Sequence, residues 1–154
     1  MKLVVLSVGK PRDPAATALH DLYADRIRSF GVGYEARFVP EVRATGRFSD
    51  EHVREREGEA LLRKWPAAGT VVALDRGGSL LGSEELARAL ERWCSPGAAF
   101  VIGGPLGLHR SVLDRAHRVW SLSPLTFPHE LARALVAEQI YRSITILRGV
   151  PYHK

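Results

Sequence analysis

One cysteine, Cys94, stands in the 154 residues, so a disulfide framework is excluded and a zinc site built of cysteines is impossible. Lysine is scarce too: 18 of the 22 basic residues are arginine. No stretch approaches the ~20 apolar residues needed to cross a bilayer, so no membrane partner is expected. The start, Met1-Lys2-Leu3-Val4-Val5-Leu6, is only briefly apolar and has no small-residue cleavage site. It reads as the first strand of a cytoplasmic protein rather than a signal peptide. The six histidines, His20, His52, His109, His117, His129 and His153, show neither i, i+4 pairing nor clustering with acids, so no metal is expected. A Walker loop is absent, and no G-x-S-x-G supports a nucleophilic serine. With no internal repeat, low-complexity tract or linker, residues 1–154 read as one domain, long enough to bury ~70% of the unfolded surface.

What is present is ordinary in bulk, with 45% hydrophobic and 25% charged residues. The net charge is +5 and the isoelectric point is near 9.8. Arginine forks match phosphate oxygens, so an anionic partner such as RNA fits. Genome composition and ordinary solubility fit the same charge.

Along the chain, apolar runs and helical patterns alternate. Lys2 to Gly9 reads as a buried strand. Asp13 and Pro14 open a helix whose Ala15, Ala18, Leu19, Leu22, Tyr23 and Ile27 repeat at three and four, until Gly31 and Gly33 stop it. Tyr34 to Val39 is a second strand. The polar segment Glu41 to Phe48, with Arg43 and Arg47, is either a solvated connection or an RNA-backbone contact. Ser49 or Asp50 caps a charged helix to about Lys64, whose Glu51, Arg54, Glu55, Glu57 and Glu59 are expected mostly in solvent. Thr70 to Leu74 is a third strand, left through Asp75-Arg76-Gly77-Gly78-Ser79. A helix from Ser83, the strand Ala98 to Ile102, a helix over His109 to His117, a strand at Arg118 to Ser121 and a last helix from Pro128 to about Ile146 follow. This alternation predicts an α/β fold, a mostly parallel sheet flanked by helices. The last helix is apolar nearly all round, through Leu131, Ala132, Ala134, Leu135, Val136, Ala137 and Ile140. Burial by a second subunit or a central place in a monomer both account for that.

Two loops follow strands at what should be one sheet edge: Gly103-Gly104-x-x-Gly107, and the stretch after Ser121 that ends at Pro128. Such loops wall small-ligand sites at the carboxyl ends of parallel strands. A dinucleotide fingerprint fails, because its first glycine would fall at Ile102 and no acid ends the next strand. A non-catalytic nucleotide- or RNA-binding α/β module remains the alternative to an enzyme.

Four motifs in order, Ile102-Gly103-Gly104-x-x-Gly107, Ser121-Leu122-Ser123-x-x-Thr126-x-Pro128-His129-x-Leu131-x-Arg133, Glu138-Gln139-x-Tyr141-Arg142 and Pro151-Tyr152-His153-Lys154, resemble the RlmH family. Members are SPOUT-class methyltransferases that use S-adenosylmethionine on a pseudouridine of large-subunit (23S) ribosomal RNA, at N3. The resemblance spans essentially the whole chain. It implies a C-terminal trefoil knot, a homodimer, and ribosomal RNA, within the large subunit or the assembled ribosome, as partner. It places the cofactor against Leu74, Gly103, Gly104, Leu122, Ser123, Pro124, Leu125, Thr126 and Phe127. Removing the proton from the acceptor nitrogen calls for a base or cationic groups, for which Arg142, Tyr152 and His153 are the candidates, with His129 second. Arg142 should face a carboxylate such as Glu138 or the substrate. The family's tail is expected to complete the pocket of the partner subunit. Gly82, where a serine is common, and Ser143, where an alanine is usual, depart from the pattern away from this chemistry.

Overall fold

A computed structural model describes residues 1–43, 45–67 and 69–154; Ala44, in the Glu41 to Phe48 segment, lies outside the described residues. Five strands, β1 (Lys2–Val8), β2 (Gly33–Val39), β3 (Thr70–Leu80), β4 (Gly97–Ile102) and β5 (Arg118–Ser121), form one sheet. Its order is β2-β1-β4-β3-β5 and every pairing is parallel. The helices are α1 (Pro14–Ser29), α2 (Asp50–Arg63), α3 (Ser83–Trp93), α4 (Arg110–Arg115) and α5 (His129–Leu147).

Successive strand residues point to opposite faces, and here both faces are covered. Leu3 and Val5 of β1, Val72 of β3 and Phe100 of β4 pack with Ile27, Leu90, Val136 and Ile140, which puts α1, α3 and α5 on one side. Val4, Leu6, Val71 and Val101 pack with Leu61 and Val112, which puts α2 and α4 on the other. That explains why β1 and β4 read as continuous apolar runs.

The caps agree with the chemistry of the termini. Asp13 Oδ1 accepts from the amides of Ala15 and Ala16 at 2.9 and 3.3 Å, and Ser49 Oγ accepts from His52 N at 3.1 Å. α3 starts differently: Gly82 is its cap, and the Gly82 amide donates to Glu85 Oε2 at 2.8 Å.

Two expectations are corrected. The Asp75–Ser79 stretch does not leave β3. Both Leu74 and Ser79 pair with Trp120, so residues 75–78 bulge outward and the strand resumes to Leu80. Gly78 makes this possible, since a β-carbon there would stand 2.7 Å from Val119 C. The acids of α2 are not all solvated either: Glu57 is 2% exposed. α5 also hides a charge in its apolar face. Arg133 is 1% exposed, its guanidinium lies 5.0 Å from the Phe38 ring centre, and Glu130 Oε1 stands 3.6 Å away.

Candidate active site

β3 runs on to α3 on one face of the sheet, while β4 runs on to α4 on the other. A crevice therefore opens at the carboxyl ends of these two neighbouring strands, the usual place for a ligand in an open parallel sheet. It is a cavity of about 560 Å³. Leu74, Asp75 and Arg76 line it from β3, residues 102–108 from the end of β4, Leu122, Ser123, Leu125, Thr126 and Phe127 from the loop after β5, and His129 and Ala132 from α5.

The glycine loop is folded tightly. The Gly107 amide donates to Gly104 O at 3.0 Å. Gly107 has φ +84°, and a β-carbon on Gly103 would lie 2.8 Å from Gly107 C. Only glycine allows this double approach. The second loop is held by hydroxyls: Ser121 Oγ donates to Ser123 O at 3.0 Å, and Ser123 Oγ accepts from Leu125 N at 3.1 Å.

His129 reaches the cavity from the first residue of α5. A neighbouring tether fixes that helix end, because Glu130 Oε1 accepts from the amides of Arg12 and Asp13 at 2.6 and 3.1 Å. Those bonds, the Arg12 amide foremost, hold the Glu130 carboxyl below the usual carboxylate range.

A second polar cluster sits further along α5. Glu138 Oε1 accepts from Arg142 Nε and Nη2 at 3.1 and 2.7 Å and from the Tyr152 hydroxyl at 2.9 Å. The Arg142 guanidinium lies 4.7 Å from the Tyr152 ring centre, and its Nη1 donates to His153 Nδ1 at 3.3 Å. Tyr152 also packs edge-on against Tyr141 at 4.8 Å and meets the Tyr23 hydroxyl at 3.2 Å. Partial burial, then the bonds with Tyr23 and Glu138, push the Tyr152 hydroxyl above its usual range, so it is a donor near neutrality and not a base. The hydrogen bonds it donates to Glu138 hold Arg142 all the more firmly as a cation.

The family model described as "Predicted SPOUT methyltransferase" matches residues 1–153. The chain belongs to the SPOUT methyltransferases. It is 44% identical to ribosomal RNA large subunit methyltransferase H of Gemmatimonas aurantiaca, with both chains covered completely. It is 42% identical to the protein of that name from Anaeromyxobacter, again over 100% of each. At this identity the RlmH resemblance read from the four motifs holds. A probable methyltransferase from Bordetella pertussis shares the fold at TM-score 0.55 with 18% identity, covering 92% of this chain and 95% of that one.

For this SPOUT chain, the residues named from sequence fall into two places. Leu74, Gly103, Gly104, Leu122, Ser123, Leu125, Thr126 and Phe127 meet around the cavity, while Pro124 is exposed and lines none of it. His129 lies on the cavity wall; Arg142, Tyr152 and His153 cluster together and line none of the cavity of their own chain. Arg142 stands 13 residues beyond His129, about 20 Å along the helix axis at 1.5 Å per residue. Sequence reading missed Arg54, which lines the cavity from α2, and Glu57 behind the glycine loop. One signal was available: Gly58, inside a helix, where a β-carbon would stand 3.0 Å from His109 Cβ.

Proposed function

We propose that this chain transfers the methyl group of S-adenosylmethionine to N3 of a pseudouridine in large-subunit ribosomal RNA, acting as a cytoplasmic homodimer. The observation that carries the reading is the meeting of the β3 bulge with the loops after β4 and β5 on one cavity, in a chain that matches RlmH relatives end to end. The residues fit the cofactor. The volume of about 560 Å³ suits a ligand of that size, and Leu74, Ile102, Leu122 and Leu108 offer apolar walls beside exposed peptide groups. The crowded backbone at Gly103 leaves those peptides bare of side chains. In the SPOUT reading, the last segment is threaded into the trefoil knot that brings these loops together.

When bound, S-adenosylmethionine supplies an activated methyl group, and the protein's task is to align donor and acceptor. Arg142, a cation fixed by Glu138, is placed to stabilise a pseudouridine ring that has lost its N3 proton. Tyr152 offers a ring for stacking and a protonated hydroxyl. Neither reaches the cavity of its own chain, so the complete site takes the tail of a second copy. The exposed apolar surface supports that dimer. Leu19, Leu22 and Leu131 are 38%, 45% and 36% exposed, and an apolar groove of about 360 Å³ runs between the starts of α1 and α5. His153, beside Arg142 in the tail, and His129, at the cavity wall, are the remaining candidates to accept the proton.

The test is methyl transfer from labelled S-adenosylmethionine to ribosomes that lack the modification, with mass mapping of the product. Label on one pseudouridine of the large-subunit RNA supports the reading. Tight cofactor binding with no transfer would return the substrate to the unknown, and no cofactor binding would favour the non-catalytic module.

A further inference from the structure

Glu57 sits in an unusual place for an acid. It lies on a charged helix, yet it is buried between that helix, the start of the segment after β2 and the glycine loop. Its Oε2 accepts from Val42 N at 3.1 Å, while Oε1 has no hydrogen-bond partner among the described residues. Behind it stands Gly104, whose β-carbon, if present, would lie 3.0 Å from Oε1, 3.2 Å from Oε2 and 3.2 Å from Val8 Cγ1. The loop backbone therefore rests directly on the carboxyl group, and the other side of Gly104 faces the cavity.

The rest of that helical face does the same work. Arg54, one turn earlier, reaches Leu106 O at 3.5 Å; Glu51 pairs with His109 Nε2 at 3.1 Å; and Gly58 admits His109 closely. Positions 51, 54, 57 and 58 share one face, and together they form a seat for residues 104–109. An apolar side chain at 57 would carry no oxygen to strand, so the acid calls for a role beyond filling space.

We propose that Glu57 is a positioning residue for methyl transfer: its carboxyl, braced on Val42, sets the height of Gly104 and so the shape of the cofactor wall. The inference rests on the cofactor reading above. Burial, with the nearby Glu41 charge adding to it, pushes the Glu57 carboxyl up toward its protonated form. The neutral amide of Gln can therefore take its place.

The experiment is calorimetric titration of S-adenosylhomocysteine into wild type, Glu57→Gln, Glu57→Ala, Gly104→Ala and the Glu57→Ala/Gly104→Ala double variant, with kcat and KM for S-adenosylmethionine alongside. Glu57→Ala should raise Kd about tenfold or more and KM with it, leaving kcat within about threefold, and Glu57→Gln should restore both. Because both residues act at one contact, the double variant should lose less than the product of the single losses. Glu57→Asp, shorter by one carbon, replaces Glu57→Ala if that variant does not fold. A melting temperature lowered with Kd unchanged, or losses that multiply, would overturn the inference while the cofactor reading stands. A wild type that does not bind S-adenosylhomocysteine would overturn both.

Discussion

The hydroxyl of Tyr152 donates to Glu138 Oε1 at 2.9 Å, and the same oxygen takes two bonds from Arg142. One carboxylate thus pins the chain's last residues to the middle of α5. The tail is ordered by that bond and by Val150 N donating to Thr145 O at 2.9 Å, whereas termini ordinarily fray.

Removal of Tyr152 to Lys154 should abolish methyl transfer, by about two orders of magnitude or more. Cofactor Kd should stay within about twofold, since the walls proposed to hold the cofactor, Leu74, residues 102–108 and the loop after β5, are untouched. Loss of the Tyr141 and Tyr23 contacts should lower the melting temperature by only a few degrees. Full activity in the truncated protein would end the catalytic role of the tail.

Arg142→Ala should lower kcat about 100-fold or more with little change in cofactor Kd. It also strands Glu138, which is 14% exposed, so a modest stability loss accompanies it. Equal losses in kcat and cofactor affinity would mark a structural arginine instead.

Gly103→Ala should weaken S-adenosylhomocysteine binding tenfold or more. The new β-carbon would meet only backbone, Gly107 C at 2.8 Å and Leu108 N at 3.0 Å, so the loop itself must shift. Such overpacking costs about 1–3 kcal/mol. Equilibrium binding beside far-ultraviolet circular dichroism separates loop displacement from unfolding.

His20 is buried with Nε2 against the Tyr34 hydroxyl at 2.9 Å. Burial, with Arg133 adding to it and Asp21 opposing, lowers its pKa below 6.5. The unfolded chain therefore takes up the proton first, and stability present above about pH 6.5 drains as pH falls through the lower folded value. Thermal melts from about pH 7.5 to 5.5 should show that decline. A His20→Gln variant should show less of it, and an equal slope would assign the effect elsewhere.

Burial pushes the Cys94 thiol up to about 11, so it should resist iodoacetamide in the folded protein and react on denaturation. Rapid labelling of the native chain would show that α3's end opens readily.

The architecture was legible in the sequence because its signals are local. Leu3 to Val8, broken only by Ser7, and Gly97 to Ile102 are apolar since both sheet faces are covered, and Asp13-Pro14 and Ser49 mark helix starts by the hydrogen bonds their side chains make. Most of the cavity lining was legible as well, since glycines at 103, 104 and 107 and hydroxyls at 121 and 123 declare tight loops after strands. The remainder depended on residues far apart in the chain. No local pattern says that Leu74 and Ser79 pair with the same Trp120, so the return of β3 after its bulge was hidden. Glu57 looks solvated in the sequence of α2, because its burial comes from Gly104, 47 positions away. The sequence by itself determined the alternation, the parallel sheet and the loops that bear glycine. Only the tertiary structure decided which loops meet, that Glu57 lies beneath one of them, and that His129 and Arg142 stand at separate stations on one helix. Those outcomes are set by contacts across the chain, which local propensity does not encode.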